Sequence, residues 1–320
     1  MALKAVLRKF SSARVIFTGA AGQIGSKLLT RAQQTYGIEN VLATDLKQPP
    51  SGWEKNTRFE QLDVLNNSRI EELFSSYRPT IIYHLASTLS APSELNPQLA
   101  LKVNIQGLHN ILEQARIHNS QIFVASSLAA FGSSTPKIPG NLEIQRPSTI
   151  YGITKVHLEL IGEYYNMKHG VDFRSLRIPV ITSEGAPGGG SAAFTVTMFY
   201  DLLSTGKTII PVSPDTKMPL MYLDDLIDGV SQFMQAPNER LTARTYTMAS
   251  CGVSASDYCN EVLRWTNGEV EYKPDYRDPI VKSWPDGTDW SAAERDWGHR
   301  LKFDMKKMVK TMYEKLTNKK

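Results

Sequence analysis

Arg14-Val15-Ile16-Phe17-Thr18-Gly19-Ala20-Ala21-Gly22-Gln23-Ile24-Gly25 decides how this chain folds. Val15, Ile16 and Phe17 form a short apolar run, the pattern of a strand buried on both faces. It runs straight into glycine, and a helical pattern follows through Ser26 to Tyr36. Strand, glycine loop and helix in that order are the context a dinucleotide fingerprint requires. Gly19 permits the tight turn, Gly22 lets backbone approach a pyrophosphate, and Gly25 allows the helix to pack close to the strand. The pyrophosphate then rests on the helix N-terminus, beside Gln23 and Ile24.

Working outward, Val41 to Thr44 reads as a second strand and ends at Asp45-Leu46. Asp45 lies about 20 residues past the glycines, where a carboxylate can accept both ribose hydroxyls and repel a 2′-phosphate. That favours NAD over NADP. A third strand, Phe59 to Leu62, leads to Asp63-Val64, an expected adenine contact. A fourth, Thr80 to Leu85, leads to Ala86-Ser87-Thr88, small enough for cofactor to pass close by; Leu85 and Ala86 are expected to touch it. Residues 99–117 read as a helix with Ile105, Leu108, Leu112 and Ala115 on one face and Asn104 near its start. A fifth strand, Gln121 to Ala125, ends at Ser126-Ser127, and a sixth, Phe173 to Ile178, ends at Arg177-Ile178-Pro179. Strand C-termini face the ligand crevice in an open parallel sheet. These residues, Ile178 and Asn104 included, are therefore expected at the cofactor.

The expected architecture is α/β: a Rossmann-type doubly wound parallel sheet over residues 14–179 and a smaller C-terminal lobe over 180–320. The lobe is expected to bind substrate for the most part and to fold partly back on the sheet, because the βα rhythm stops after Pro179. Its markers are Pro187-Gly188-Gly189-Gly190-Ser191 before a helix near 192–205, Asp224-Asp225 at a helix start, a short strand from Tyr246 to Ala249, and an amphipathic helix from Asp304 to Leu316.

Composition narrows the function classes. Hydrophobic residues make up 41% of the 320, and the net charge of +4 is dispersed. A basic stripe with interleaved aromatics is absent, which disfavours nucleic acid as a partner. No apolar run is long enough to span a membrane. Cys251 and Cys259 have no histidine cluster nearby, so neither a zinc site nor a disulfide framework is expected, and no metal is assigned. Residues 1–13 carry Lys4, Arg8 and Lys9, two serines and no acid, with Leu3, Val6, Leu7 and Phe10 at helical spacing. They read equally as a mitochondrial transit peptide or as an ordinary basic N-terminus.

The chemistry is carried by Tyr151-Gly152-Ile153-Thr154-Lys155. Residues four apart on a helix share a face, so the Tyr151 phenol and the Lys155 ammonium stand together. A free phenol has a pKa of about 10; a neighbouring cation lowers it and makes a usable base. The same helix bears two apolar stripes, Ile153-Val156-Leu160-Tyr164 and Leu158-Ile161-Tyr165. Two stripes imply two partners: the sheet, and a second subunit docked through the helices near 104–118 and 150–166.

Together, Gly19-x-x-Gly22-x-x-Gly25, Asp45, Asp63, Ser126-Ser127 followed by Phe131-Gly132, and Tyr151-x-x-x-Lys155 resemble the extended short-chain dehydrogenase/reductase family. Within it, Ile144 to Gly152, the Pro187-to-Ser191 loop, Asp215 to Tyr222, Ser283-Trp284-Pro285-Asp286 and Asp296-Trp297-Gly298 are similar to a threonine-oxidising branch. The resemblance implies NAD-dependent oxidation of L-threonine to 2-amino-3-oxobutanoate. Tyr151 would take the β-hydroxyl proton, Lys155 would lower its pKa and hold the nicotinamide ribose, and Ser127, with Ser126 beside it, would orient the reacting oxygen. Gly189 and Gly190 amides with the Ser191 hydroxyl could hold the substrate carboxylate, although the loop also reads as a hinge. Ser87 could meet the amino or carboxyl group or merely pack, and Trp284 could wall the pocket or sit in the lobe core.

Family metabolism further implies threonine catabolism toward glycine and acetyl-CoA or aminoacetone, with a 2-amino-3-ketobutyrate CoA ligase as a coupled enzyme. Two departures stand out. Ser191-Ala192-Ala193-Phe194 replaces the branch's usual Thr-Thr-Asp-Tyr after its glycines, and Phe131 stands where related epimerases have Tyr. The rival readings are a nucleotide-sugar epimerase or dehydratase that recycles tightly bound NAD, and a non-catalytic dinucleotide-sensing scaffold.

Overall fold

The computed structural model describes residues 13–49, 53, 56–185 and 188–318. The targeting segment expected over residues 1–13 falls, apart from Ala13, outside them, as does Pro187 of the glycine loop.

The strands are β1 (Val15–Thr18), β2 (Val41–Asp45), β3 (Arg58–Gln61), β4 (Ile81–His84), β5 (Gln121–Ser127), β6 (Phe173–Ile178), β7 (Val180–Thr182), β8 (Lys207–Ile210), β9 (Lys217–Tyr222), β10 (Thr245–Thr247), β11 (Cys251–Ser254) and β12 (Glu269–Tyr272). The helices are α1 (Gln23–Tyr36), α2 (Asn67–Tyr77), α3 (Ser90–Leu95), α4 (Pro97–Leu101), α5 (Leu108–His118), α6 (Ile150–His169), α7 (Phe194–Thr205), α8 (Leu223–Gln235), α9 (Ala255–Leu263), α10 (Arg277–Lys282), α11 (Ser291–Trp297) and α12 (Met305–Thr317).

The main sheet has the order β10-β6-β5-β4-β1-β2-β3, and every neighbouring pair is parallel. Six of these strands form the doubly wound order expected from the sequence. β10 comes from the C-terminal half and adds a seventh beside β6, with Tyr246 opposite Leu176. The short strand near 246 is thus part of the cofactor sheet. One face of the sheet packs on Leu28, Leu29 and Ala32 of α1, on Leu226, Val230 and Phe233 of α8, and on Trp297. The other packs on Ile70 and Phe74 of α2, on Leu108, Ile111 and Leu112 of α5, and on Leu158 of α6. Residues 223–247 and 291–297 therefore fold back onto the sheet.

A separate core, including Phe199, Met218, Leu220, Tyr222, Tyr258, Trp284 and Met308, joins α7, α9, α10 and α12 to two small sheets. This is the lobe. Tyr151 packs against it from α6, the helix whose Leu158 lies in the core under the main sheet, so the Tyr151 ring lies near where sheet and lobe meet.

Local chemistry sets the helix ends. Asn66, Thr149 and Asp304 accept backbone amide protons in the first turns of α2, α6 and α12. The expected helix over 99–117 is continuous, but α4 and α5 are joined through a π-helical segment, Lys102–Gly107. Asn104 lies within this segment and is buried. No periodicity in the sequence marks it. Among the described residues, no helix is long and apolar enough to cross a membrane, and no group of three His, Cys, Asp or Glu side chains is placed to hold a metal ion.

Candidate active site

The glycine loop between β1 and α1 is built for close backbone approach. Gly19 has φ +73°, and a Cβ there would lie 2.5 Å from the Ala86 amide nitrogen. A Cβ on Gly25 would lie 2.2 Å from the Gly19 carbonyl oxygen. Gly22 precedes α1, and no side chain caps that helix. Its first-turn amides, with the positive end of the helix dipole, suit a pyrophosphate. Asp45 ends β2 beside the loop, its carboxylate accepting the Ala21 and Lys47 amides, each at 2.9 Å. A shaped cradle, an uncapped helix start and a strand-end carboxylate fit a dinucleotide.

Other expected contacts vary. Leu46 is 60% exposed, and Asp63 is exposed and engaged with the Leu65 amide. Val64 is buried against Gly107, where a Cβ would meet it at 2.7 Å. Leu85 and Ala86 follow β4 directly, with the Leu85 amide bonded to the Thr18 carbonyl at 2.9 Å. Leu85, Ala86, Ser87, Asn104 and Lys155 line one small cavity beside β4 and β5. Ile178 is the register partner of Ser127. Gln23 reaches the lobe, donating to the Ser183 hydroxyl at 2.8 Å.

Helix α6 presents Tyr151 and Lys155 on one face, as their spacing requires. Gly152 between them is forced: a Cβ there would sit 2.2 Å from the Ala129 carbonyl. The Lys155 Nζ is 5.2 Å from the centre of the Tyr151 ring and donates to the Ala125 carbonyl at 2.7 Å. Ser127 accepts the Ala129 amide at 3.2 Å, which leaves its proton for the Tyr151 oxygen. Burial pushes the Tyr151 phenol up to about 12, and the Ser127 hydrogen bond pulls the other way. Burial takes Lys155 down to about 8, against the pull of Glu159. The expected lowering of Tyr151 by Lys155 is thus not displayed by the site as it stands, because the ammonium faces the ring and a carbonyl rather than the phenolic oxygen. His84, below this pair, is buried and pushed down to about 3, first by burial and then by Lys155. It stays neutral, hydrogen-bonded to Thr18.

Three expected substrate residues are engaged elsewhere, and a fourth lies in the lobe core. The Ser126 hydroxyl donates to Glu159 at 2.5 Å and is buried, so it is not presented beside Ser127. Ser87 donates to Asn104 and to the Thr88 carbonyl. Ser191 is fully buried, and both its amide and its hydroxyl are bonded to the Ser90 hydroxyl, at 3.0 and 3.1 Å. The uncapped helix start is three residues on, at Phe194. Trp284 belongs to the lobe core, although its buried Nε1 has no partner. Gly189 and Gly190 pack near Pro92 and Ser90 of α3.

Helix α3 is what sequence reasoning missed. At one end Ser90 latches the lobe loop; at the other Glu94 accepts the Ile150 amide at 2.8 Å, next to Tyr151. Ser-Ala-Pro-Ser-Glu, a helix-start composition, is the signal that could have found it. Asn104 completes the surroundings by bonding the Thr88 amide at 2.8 Å and Thr154 at 3.2 Å.

The NAD dependent epimerase/dehydratase family model matches residues 15–249, which include every one of these catalytic candidates. The chain belongs to that family. Within it, the chain is 39% identical over 303 residues to the mitochondrial L-threonine 3-dehydrogenase of Sus scrofa, covering 93% of this chain and 81% of that protein. The structure of L-threonine 3-dehydrogenase from Trypanosoma brucei superposes with a TM-score of 0.90 at 36% identity, covering 95% of this chain and 97% of the other. A monomeric L-threonine 3-dehydrogenase from a metagenome superposes at 0.92 and 36%, covering 95% and 99%. These family relatives share the whole architecture, lobe included.

Proposed function

We propose that this member of the epimerase/dehydratase family oxidises L-threonine at its β-hydroxyl, with NAD as acceptor, to 2-amino-3-oxobutanoate. The observation that carries the reading is Tyr151 at the junction of sheet and lobe, with Ser127 on its hydroxyl and Lys155 beside its ring. The names of the similar proteins supply the substrate.

In this mechanism the Tyr151 phenolate removes the hydroxyl proton, within about 3 Å of the reacting oxygen. Ser127 donates to that oxygen and aligns it. The Lys155 ammonium supplies positive charge beside the ring and would be a donor for the cofactor ribose. NAD, when bound, supplies the hydride acceptor. Gly19, Gly22, Gln23, Ile24, Gly25 and Asp45 would hold it. Gly189 and Gly190 remain proposed holders of the substrate carboxylate, with Trp284 as a wall whose free indole N–H could join them.

The test is spectrophotometric: threonine, serine and 3-hydroxybutyrate offered with NAD. Threonine is expected to yield NADH. Flat traces alongside turnover of a UDP-sugar would favour the epimerase reading. NADP is expected to give little product, and Asp45→Ala to erase that preference; a variant that still prefers NAD by the wild-type factor would show the ribose contact lies elsewhere.

Homodimerisation is the proposed assembly. Ile153, Leu160, Tyr164 and Met167 are 47, 60, 46 and 72% exposed along α6, at spacings of seven, four and three residues that keep them on one helix face. Leu160→Lys is expected to convert a dimer to a monomer in gel filtration; a wild-type monomer at working concentration removes the proposal. The transit-peptide reading of residues 1–13 would put the enzyme in the mitochondrial matrix, with cytoplasm the alternative. Import of a fluorescent fusion carrying those residues decides between them. The product, a β-keto acid, would be passed to a CoA-dependent ligase or lose CO₂ to give aminoacetone.

A further inference from the structure

Behind Lys155 lies a buried ion pair that the proposed chemistry leaves unused. Glu159 stands one turn beyond Lys155 on α6, so both side chains are directed toward the end of β5. Its carboxylate receives Arg177 from β6 through three contacts of 2.8–3.1 Å, and the two side chains are 2% and 6% exposed. It also accepts the Ser126 hydroxyl at 2.5 Å and the Gln145 amide at 2.7 Å. Arg177 is itself tied down, donating to the Asn141 carbonyl and to Thr247 of β10 and lying over the Phe131 ring.

Ser126 is flanked by the two residues that matter at the site. Ala125 offers the carbonyl that Lys155 occupies, and Ser127 offers the hydroxyl that meets Tyr151. A side chain gripping Ser126 therefore sets the position of both. We propose that Glu159 is a positioning residue: it clamps the end of β5 so that Ala125 and Ser127 meet Lys155 and Tyr151. The inference rests on the reading of Tyr151 and Lys155 as the reacting pair.

The clamp also has an electrostatic consequence for Lys155. On α6 it faces Tyr151, neutral as the site stands, and Glu159. From β4 it faces His84, which burial keeps neutral. Arg177 on β6 lies behind Glu159. Glu159 is thus the one anion named here that opposes the deprotonation favoured by burial of the lysine. Without it, Lys155 gives up its proton at lower pH, and the alkaline limb of turnover moves in the acid direction.

Glu159→Gln alone would strand a guanidinium in the core, so the test removes both charges, in Glu159→Gln/Arg177→Met. The cofactor-free chain is prepared with ¹³C-lysine, and the Lys155 resonance is assigned by its loss in Lys155→Met. The Lys155 midpoint is expected to fall from its wild-type position, because Glu159 is the charge that raises it. An unmoved midpoint in a double variant that circular dichroism finds folded overturns the electrostatic role. Ser126→Ala removes the grip without touching a charge; kcat is expected to fall about tenfold with the lysine midpoint unchanged. Wild-type kcat in Ser126→Ala overturns the clamp. Should wild-type protein make no NADH from threonine, the substrate reading fails, while the lysine titration still decides the role of Glu159.

Discussion

Tyr151→Phe is expected to bind NAD with wild-type affinity and to lose two to four orders of magnitude in kcat, the span that a positioned general base contributes. The substitution deletes one oxygen from a ring packed between the sheet and the lobe core. It leaves the Gly19–Gly25 cradle and Asp45 intact, and Ser127 keeps its bond from the Ala129 amide. Only the proton acceptor is gone. Calorimetric titration with NAD and initial rates at saturating NAD separate the two outcomes; full turnover would remove Tyr151 from the proton step.

The pH profile carries a second signature. Burial holds the phenol near 12 in the cofactor-free site, so wild-type turnover should rise with pH on its acid limb as the phenolate forms. A bound nicotinamide cation shifts that rise to lower pH. The residual rate of Tyr151→Phe should lack the rise.

Gly25→Ala should cost at least tenfold in NAD affinity. A Cβ at this position would lie 2.2 Å from the Gly19 carbonyl oxygen and 3.0 Å from the Ala20 Cα and carbonyl oxygen. All of these are backbone atoms, so no side chain can rotate aside. The helix must move off the strand, and overpacking of this kind costs about 1–3 kcal/mol. The shift displaces the first-turn amides of α1 from the pyrophosphate, so the loss appears in NAD binding as well as in thermal stability. A tenfold change corresponds to about 1.4 kcal/mol, inside that range. Unchanged NAD affinity in a folded Gly25→Ala would mean that this loop is not the cradle.

These two residues were legible for different reasons. The glycine loop declares itself because an apolar run, tolerated backbone conformations and a helix start occur in sequence order, within a dozen residues. Tyr151 and Lys155 declare themselves because helical spacing alone puts them on one face. Ser126 was misread for a related reason. Adjacency to Ser127 suggested a shared task, but its hydroxyl is engaged by Glu159, and nothing in local spacing reports that a carboxylate from another element will arrive there. Ser191 was misread in the same way: the loop composition announced a turn, and its bond to Ser90 links residues a hundred positions apart.

Local sequence was thus enough for the doubly wound core, the cofactor class, and the neighbourhood of the candidate phenol and amine, since each depends on contacts between near neighbours or on steric limits of single residues. Folding in three dimensions settled the rest. It set β10 beside β6, buried Asn104 within a π-helical segment, latched the lobe loop to α3, and paired Glu159 with Arg177. Most of these depend on residues that are not neighbours in the chain. Their free energy comes from burial and complementary hydrogen bonding that exist only once the two cores have closed on one another.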